Sequence, residues 1–136
     1  LLHDLGKLRV PNSILDKPGK LTASEWLVVQ EHPQLTQEIL SRIASFRELA
    51  RIAGAHHEKL DGSGYPRRLT ARQLPLEARI IAVADVYGAL TEDRPYRACL
   101  THEDALALLF RESPQKLDPD CCEALIPGVS SDRPED

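Results

Sequence analysis

The stretch from Pro75 to Thr91 most constrains the fold. Ile80, Ile81, Val83, Ala84, Tyr87 and Leu90 recur at helical spacing on more than one face, and a helix that is apolar all round belongs at the centre of a bundle. It is expected to be the most buried element. Asp85 lies inside this run. Aspartate is a poor helix former, and an unpaired buried carboxylate is strongly destabilising. Asp85 therefore needs a partner, which could be a metal ion, an N-cap contact, or an ion pair with Arg79 or Arg94.

The flanking sequence is helical as well. Two clusters of turn formers, Val10-Pro11-Asn12-Ser13 and Asp16-Lys17-Pro18-Gly19-Lys20, make residues 8–21 a loop with a short helical turn. Thr22 and Glu25 form a capping-box pattern ahead of Trp26, Leu27 and Val29, which predicts a helix from Ala23 to about His32. Pro33 suits the first turn of the next helix, with Leu35, Ile39, Leu40 and Ile43 inward. A helix over about Phe46 to Glu58 should carry Leu49, Ile52 and Ala53 into the core, and Asp61-Gly62-Ser63-Gly64-Tyr65-Pro66 then enforces a shaped loop. Thr101 and Asp104 predict a capped helix through Phe110, and Asp118-Pro119 opens another to Ile126. Residues 127–136 read as a disordered tail. With no alternating strand pattern, the expected fold is all-α.

At 136 residues and 42% hydrophobic, the chain can build one core. It lacks methionine and begins Leu1-Leu2-His3-Asp4, so it reads as cut from a longer protein. No apolar run approaches the roughly 20 residues of a membrane-spanning helix. Cys99, Cys121 and Cys122 show no paired spacing, which fits a reducing, cytoplasmic setting. A net charge of -4 argues against a DNA or RNA polymer as partner, but not against a small anion held by metal ions and a few basic side chains.

Four of the five histidines fall in His3-Asp4, His32-Pro33 and His56-His57, at the ends of expected helices around one core. Singly, each is as readily a packed helix-end residue as a ligand. Together with Asp4 and Asp85 they form a His and Asp set suited to zinc, manganese or iron. His102 lies outside every motif and reads as a surface residue.

His3-Asp4-Leu5-Gly6-Lys7, His32-Pro33, His56-His57-Glu58-Lys59-Leu60-Asp61-Gly62-Ser63-Gly64-Tyr65-Pro66, Val83-Ala84-Asp85 and Asp93-Arg94-Pro95-Tyr96-Arg97 follow one another as in the HD-GYP domain. The chain resembles that family over residues 1–126. The resemblance implies an HD-domain-like helical bundle with its metal site between helices, truncated at the N-terminus, since the family's upstream His, and often Glu, would precede Leu1. It implies two or three divalent metal ions, iron or manganese, held by His3, Asp4, His32, His56, His57 and Asp85. Asp4 would bridge two ions, with His32, His56 and His57 completing one site and His3 and Asp85 in its neighbour.

The resemblance further gives His3, Asp4 and Lys7 catalytic roles and makes Lys7, Arg94 and Arg97 the residues that grip substrate phosphates. It assigns Asp61, Gly64, Tyr65 and Pro66 to the loop at the pocket mouth. Two departures from the family pattern concern glycines, after His32-Pro33 and in the stretch following Tyr65-Pro66, where this chain has Thr36 and Arg67-Arg68-Leu69-Thr70-Ala71-Arg72.

The activity so implied is metal-dependent hydrolysis of cyclic di-GMP to linear pGpG, and onward to GMP, in bacterial signalling. Such domains usually follow a sensory or receiver domain. The resemblance also admits docking of a diguanylate cyclase domain at the Gly64-Tyr65-Pro66 loop, and a homodimer. Two other readings remain open, namely an inactive nucleotide-sensing or protein-interaction module and an HD phosphohydrolase acting on another nucleotide.

Overall fold

The computed structural model describes residues 2–93 and 98–130, and among them no strand forms beyond one isolated bridge between Asp61 and Thr70. A 3-10 turn, Leu5–Arg9, precedes helices α1 (Asn12–Leu15), α2 (Ala23–Gln30), α3 (His32–Ser41), α4 (Arg47–Ala53), α5 (Leu76–Thr91), α6 (His102–Glu112) and α7 (Pro119–Ser130). The 3-10 turn and α4 pack on α3, while α5, α6 and α7 pack on one another. No helix among the described residues is long and apolar enough to cross a membrane.

The caps follow their sequence signals. The Glu25 backbone N–H donates to Thr22 Oγ1 (3.3 Å), and the Thr22 N–H donates to the Glu25 carboxylate (2.7 Å), so each residue satisfies a helix-end donor of the other. Thr101 Oγ1 accepts the Asp104 N–H in the same way at the start of α6.

Three apolar clusters hold these elements. Leu40, Ala50 and Ala53 join α3 to α4. Ala55, Leu74 and Ala78 join the loop after α4 to α5. Val83, Leu109, Leu117, Cys121 and Cys122 join α5 to α6 and α7. Polar contacts reinforce the last junction. Arg79 donates to Asp118 Oδ2 (3.0 Å) and to the Leu74 carbonyl (3.0 Å), while Asp118 Oδ1 accepts the N–H groups of Asp120 and Cys121 at the start of α7.

Several expectations require correction. The buried stripe of α3 is His32, Pro33, Thr36 and Leu40, with Ile43 half exposed, because the 3-10 turn approaches the helix on the histidine side. Helix α4 ends at Ala53 and not near Glu58, and buries Ala50 and Ala53 while leaving Leu49 exposed. The Gln37 side chain lies close to Gly54, the His56 Nδ1 lies 2.6 Å from the Ala53 carbonyl, and residues 54–57 continue as hydrogen-bonded turns instead of α-helix.

Helix α5 buries only Ala78, Ala82 and Val83, leaving Leu76 and Ile80 exposed, since α6 and α7 cover one side and a cavity opens on another. Helix α7 runs through Pro127 to Ser130, four residues into the expected tail. Positions 131–136 lie outside the described residues.

Candidate metal centre

The site forms where the 3-10 turn, the start of α3, the turn after α4 and the middle of α5 converge. Asp4 immediately precedes the 3-10 turn, and the turn lies close to α3 because residue 6 is glycine. A Cβ there would meet the His32 carbonyl oxygen at 2.0 Å and the Thr36 nitrogen at 2.8 Å, an approach no other residue permits. The Gly6 N–H donates to Thr36 Oγ1 (2.8 Å), whose hydroxyl donates to the His3 carbonyl (3.0 Å). Thr36 thus ties both sides of Asp4 to α3.

His32 and His56 are each held by their other ring nitrogen. His32 Nδ1 lies 2.7 Å from the Val29 carbonyl in the last turn of α2, and His56 Nδ1 lies 2.6 Å from the Ala53 carbonyl at the end of α4. Helix ends leave carbonyls without intrahelical donors. A carbonyl only accepts, so the neutral rings carry their proton on Nδ1 and present the Nε2 lone pair to the site.

The two Nε2 atoms are 3.3 Å apart and lie 3.2 and 3.7 Å from Asp4 Oδ1. That oxygen is buried and has no hydrogen-bond partner. Three electron-rich atoms therefore converge without a hydrogen between them, an arrangement that a cation satisfies. One ligand atom each from Asp4, His32, His56 and His57 lies within 4.8 Å of the others, a group able to hold a metal ion.

The second carboxylate oxygen serves a different set. Asp4 Oδ2 accepts from Lys7 Nζ (2.8 Å) and lies 3.5 Å from His3 Nε2. His3 Nε2 is also 3.4 Å from Asp85 Oδ1, and His57 Nδ1 is 3.7 Å from Asp85 Oδ2. Arg79, one candidate partner for Asp85, is instead engaged by Asp118. Asp85 is partly open, its side chain 26% exposed, because it faces the cavity and not the core.

Charge states follow from these surroundings. Burial pushes the Asp4 carboxyl up, but the Lys7 ammonium on Oδ2 outweighs it and holds the group below the usual carboxylate range. Burial, aided by the neighbouring His56 and His32 rings, pushes His57 down to about 3. Burial likewise lowers His3 despite the Asp4 and Asp85 charges. At neutral pH Asp4 is therefore a carboxylate and His3 and His57 are neutral imidazoles, the forms that ligate metals.

A cavity of about 720 Å³ opens onto the cluster, lined at its polar end by His3, Asp4, Lys7 and Asp85 and elsewhere by Trp26, Tyr65, Ile80 and Ile81. Of the four loop residues expected at its mouth, Tyr65 alone lines it, its ring 4.8 Å from that of His57. Gly64 and Pro66 line a neighbouring groove with Leu27 and Gln34. Asp61 accepts the Ser63 N–H in its own turn, because its short side chain closes locally instead of reaching inward. Arg94 and Arg97 lie outside the described residues.

Sequence reasoning passed over three participants. Thr36 stands in the sequence only as a departure from a glycine of the family pattern. Trp26 looked like an ordinary apolar residue of α2 but stands at the cavity rim, 44% exposed. Glu58 is buried at 2% exposure, and its two oxygens accept the N–H groups of Arg67 (2.7 Å) and Leu69 (2.8 Å). It shapes the loop that carries Tyr65. A Cβ on Gly64 would meet the Glu58 Cα at 2.5 Å, which explains the glycine in that loop. Its place inside the run from His56 to Pro66 was the available signal for Glu58.

The HD domain family matches residues 1–121. Similar proteins include the 3'3'-cGAMP-specific phosphodiesterase 3 of Vibrio cholerae, 51% identical over 92% of this chain and 27% of that protein. The cyclic di-GMP phosphodiesterase response regulator RpfG of Xanthomonas campestris is 48% identical over 93% and 34% respectively. A cyclic di-GMP phosphodiesterase of Thermotoga maritima is 40% identical over 92% and 34%. The chain thus spans about a third or less of the length of these relatives. With the paired His3-Asp4, the converging histidines and the Gly64-Tyr65-Pro66 loop all on one helical bundle, the chain belongs to the HD domain family, in its HD-GYP branch.

Proposed function

We propose that this chain is a metal-dependent phosphodiesterase domain that opens cyclic di-GMP to the linear dinucleotide pGpG and cleaves it onward to GMP. The observation that carries the reading is the buried, donorless Asp4 Oδ1 facing two imidazole Nε2 atoms. His32, His56 and His57 would hold one divalent ion with Asp4, and His3 and Asp85 a second, with the Asp4 carboxylate between them. Manganese or iron suits this mixed nitrogen and oxygen donor set.

Bound there, divalent ions lower the pKa of water to supply hydroxide at neutral pH and offset charge on the phosphodiester oxygens. The chain's own groups do the rest. Lys7 reaches Asp4 with its ammonium while lining the cavity, so it can turn to a phosphate oxygen when one arrives. Burial and the Asp85 and Asp4 charges keep the Tyr65 hydroxyl protonated far above neutral pH, so it can only donate to an oxygen of the substrate or accept from its hydroxyls. Arg94 and Arg97 complete the proposed phosphate grip.

A second substrate is favoured by one finding, since the 51% identical relative is named for 3'3'-cGAMP. Hydrolysis of both cyclic dinucleotides by protein loaded anaerobically with manganese or iron, beside Asp4→Ala, tests the reading. Turnover should depend on metal and fall about a hundredfold or more in the variant. Fully metallated protein that cleaves neither nucleotide would refute it and leave nucleotide sensing as the function.

A further inference from the structure

Trp26 is the chain's single tryptophan, and α2, which carries it, buries no residue at all. An indole left 44% exposed on such a helix needs an account. It does not stand on an open face. It lines the same cavity as the metal cluster, together with Ile80, Ile81 and Ala84 of α5.

The cavity lining is chemically mixed. Asp4, Lys7, His3 and Asp85 stand at the metal cluster. Away from those groups the lining is apolar or small, with Trp26, Val29, Ile80, Ile81, Gly88 and Ala89, except for the carboxylate of Glu92. About 720 Å³ is far more than a phosphate group fills and is the size of a site for a whole small molecule. The polar end can take only the phosphodiester of such a ligand.

The aromatic rings form a path away from the metal end. His57 and Tyr65 lie 4.8 Å apart and inclined by 32°, and Tyr65 meets Trp26 at 6.0 Å and 77°. The last pair meets edge to face, which covers at most one face of the indole, and an indole 44% exposed keeps surface for a third flat group. A heterocyclic base attached to a phosphodiester has that shape, and every base has a π-face on which indole can stack.

We infer that Trp26 is a stacking platform for one nucleobase of the substrate, so that α2 positions the ligand while the metal cluster takes its phosphate. The inference rests on the proposed phosphodiesterase activity and adds a positioning residue to it. Indole stacking is tolerant of base identity, so Trp26 raises affinity for cyclic dinucleotides as a class and leaves the choice between guanine and adenine to other contacts.

The test uses the manganese-loaded protein, Trp26→Ala and Trp26→Phe. Cyclic di-GMP should quench the emission of the parent's tryptophan in the first turnover. Trp26→Ala should raise KM by about 5- to 150-fold, keep kcat within about threefold, and retain the parent's metal content and melting temperature. Trp26→Phe should recover most of the lost affinity. A structural role would move melting temperature or metal content instead. Parent-like KM in Trp26→Ala, with the parent active, overturns this inference alone. A metallated parent that neither binds nor cleaves the nucleotide overturns the phosphodiesterase reading and this inference with it.

Discussion

Thr36 stands where a glycine is common in the family, and its fully buried hydroxyl bridges the Gly6 N–H and the His3 carbonyl. Thr36→Val keeps the shape but leaves both backbone groups without that partner, at a cost of about 1–3 kcal/mol. The variant should unfold at lower denaturant and bind manganese more weakly, because the segment holding Asp4 loosens. Unchanged unfolding would show that the bridge adds nothing.

The second glycine departure leaves a different trace. Arg68 adopts φ 54° in the loop that follows Tyr65-Pro66. Left-handed backbone disfavours a residue with a Cβ by about 1–2 kcal/mol, an amount partly offset in glycine by its freer unfolded chain. Arg68→Gly should therefore be neutral or stabilising by up to about 1 kcal/mol, and Arg68→Val clearly destabilising. Thermal unfolding of the two variants, showing opposite order, would contradict this account.

At the scale of elements, Glu58 joins the end of the histidine turn to the loop carrying Tyr65. Glu58→Ala strips two backbone donors of their acceptor, which should destabilise the chain by about 2–3 kcal/mol and speed amide exchange over residues 63–70 before other regions. Exchange that rises uniformly would assign Glu58 to global stability only.

Asp118 plays the matching part for α5 and α7. Burial pushes its carboxyl up, but Arg79 and the Cys121 N–H overcome this and hold it below the ordinary value. A depressed folded-state pKa means that its contribution is fully present above the unfolded value of about 4 and is lost as pH falls through the lower folded value. Acid unfolding below pH 4 should thus be shallower in Asp118→Asn, which has no such charge to lose. An identical acid profile would rule Asp118 out of that transition.

For the whole molecule, the metal cluster is a joint between elements. Its groups come from the 3-10 segment, α3, the turn after α4, and α5. Metal that binds only this folded arrangement stabilises it by mass action, by about 2.7 kcal/mol at a hundred times the dissociation constant. Manganese should raise the melting temperature of the parent and not that of Asp4→Ala. A shift of equal size in both would place the stabilising metal elsewhere.

Element types and positions were legible in the chain because caps and glycine and proline punctuation are local signals. The Thr22 and Thr101 caps and the start of α5 lie where those signals put them. The His and Asp residues that the structure brings together were legible for a similar reason, since His3, Asp4, His32, His56, His57 and Asp85 stand in a recognisable order. Burial was not. Ile80 and Leu49 are apolar and exposed whereas Thr36 and Glu58 are polar and buried, because burial depends on which face a distant element covers. Tertiary structure alone decided that Asp4 turns one oxygen to His32 and His56 and the other to Lys7 and His3, and that Trp26 looks into the same cavity. Such convergence is set by packing between residues far apart in the chain, which periodicity and spacing cannot encode.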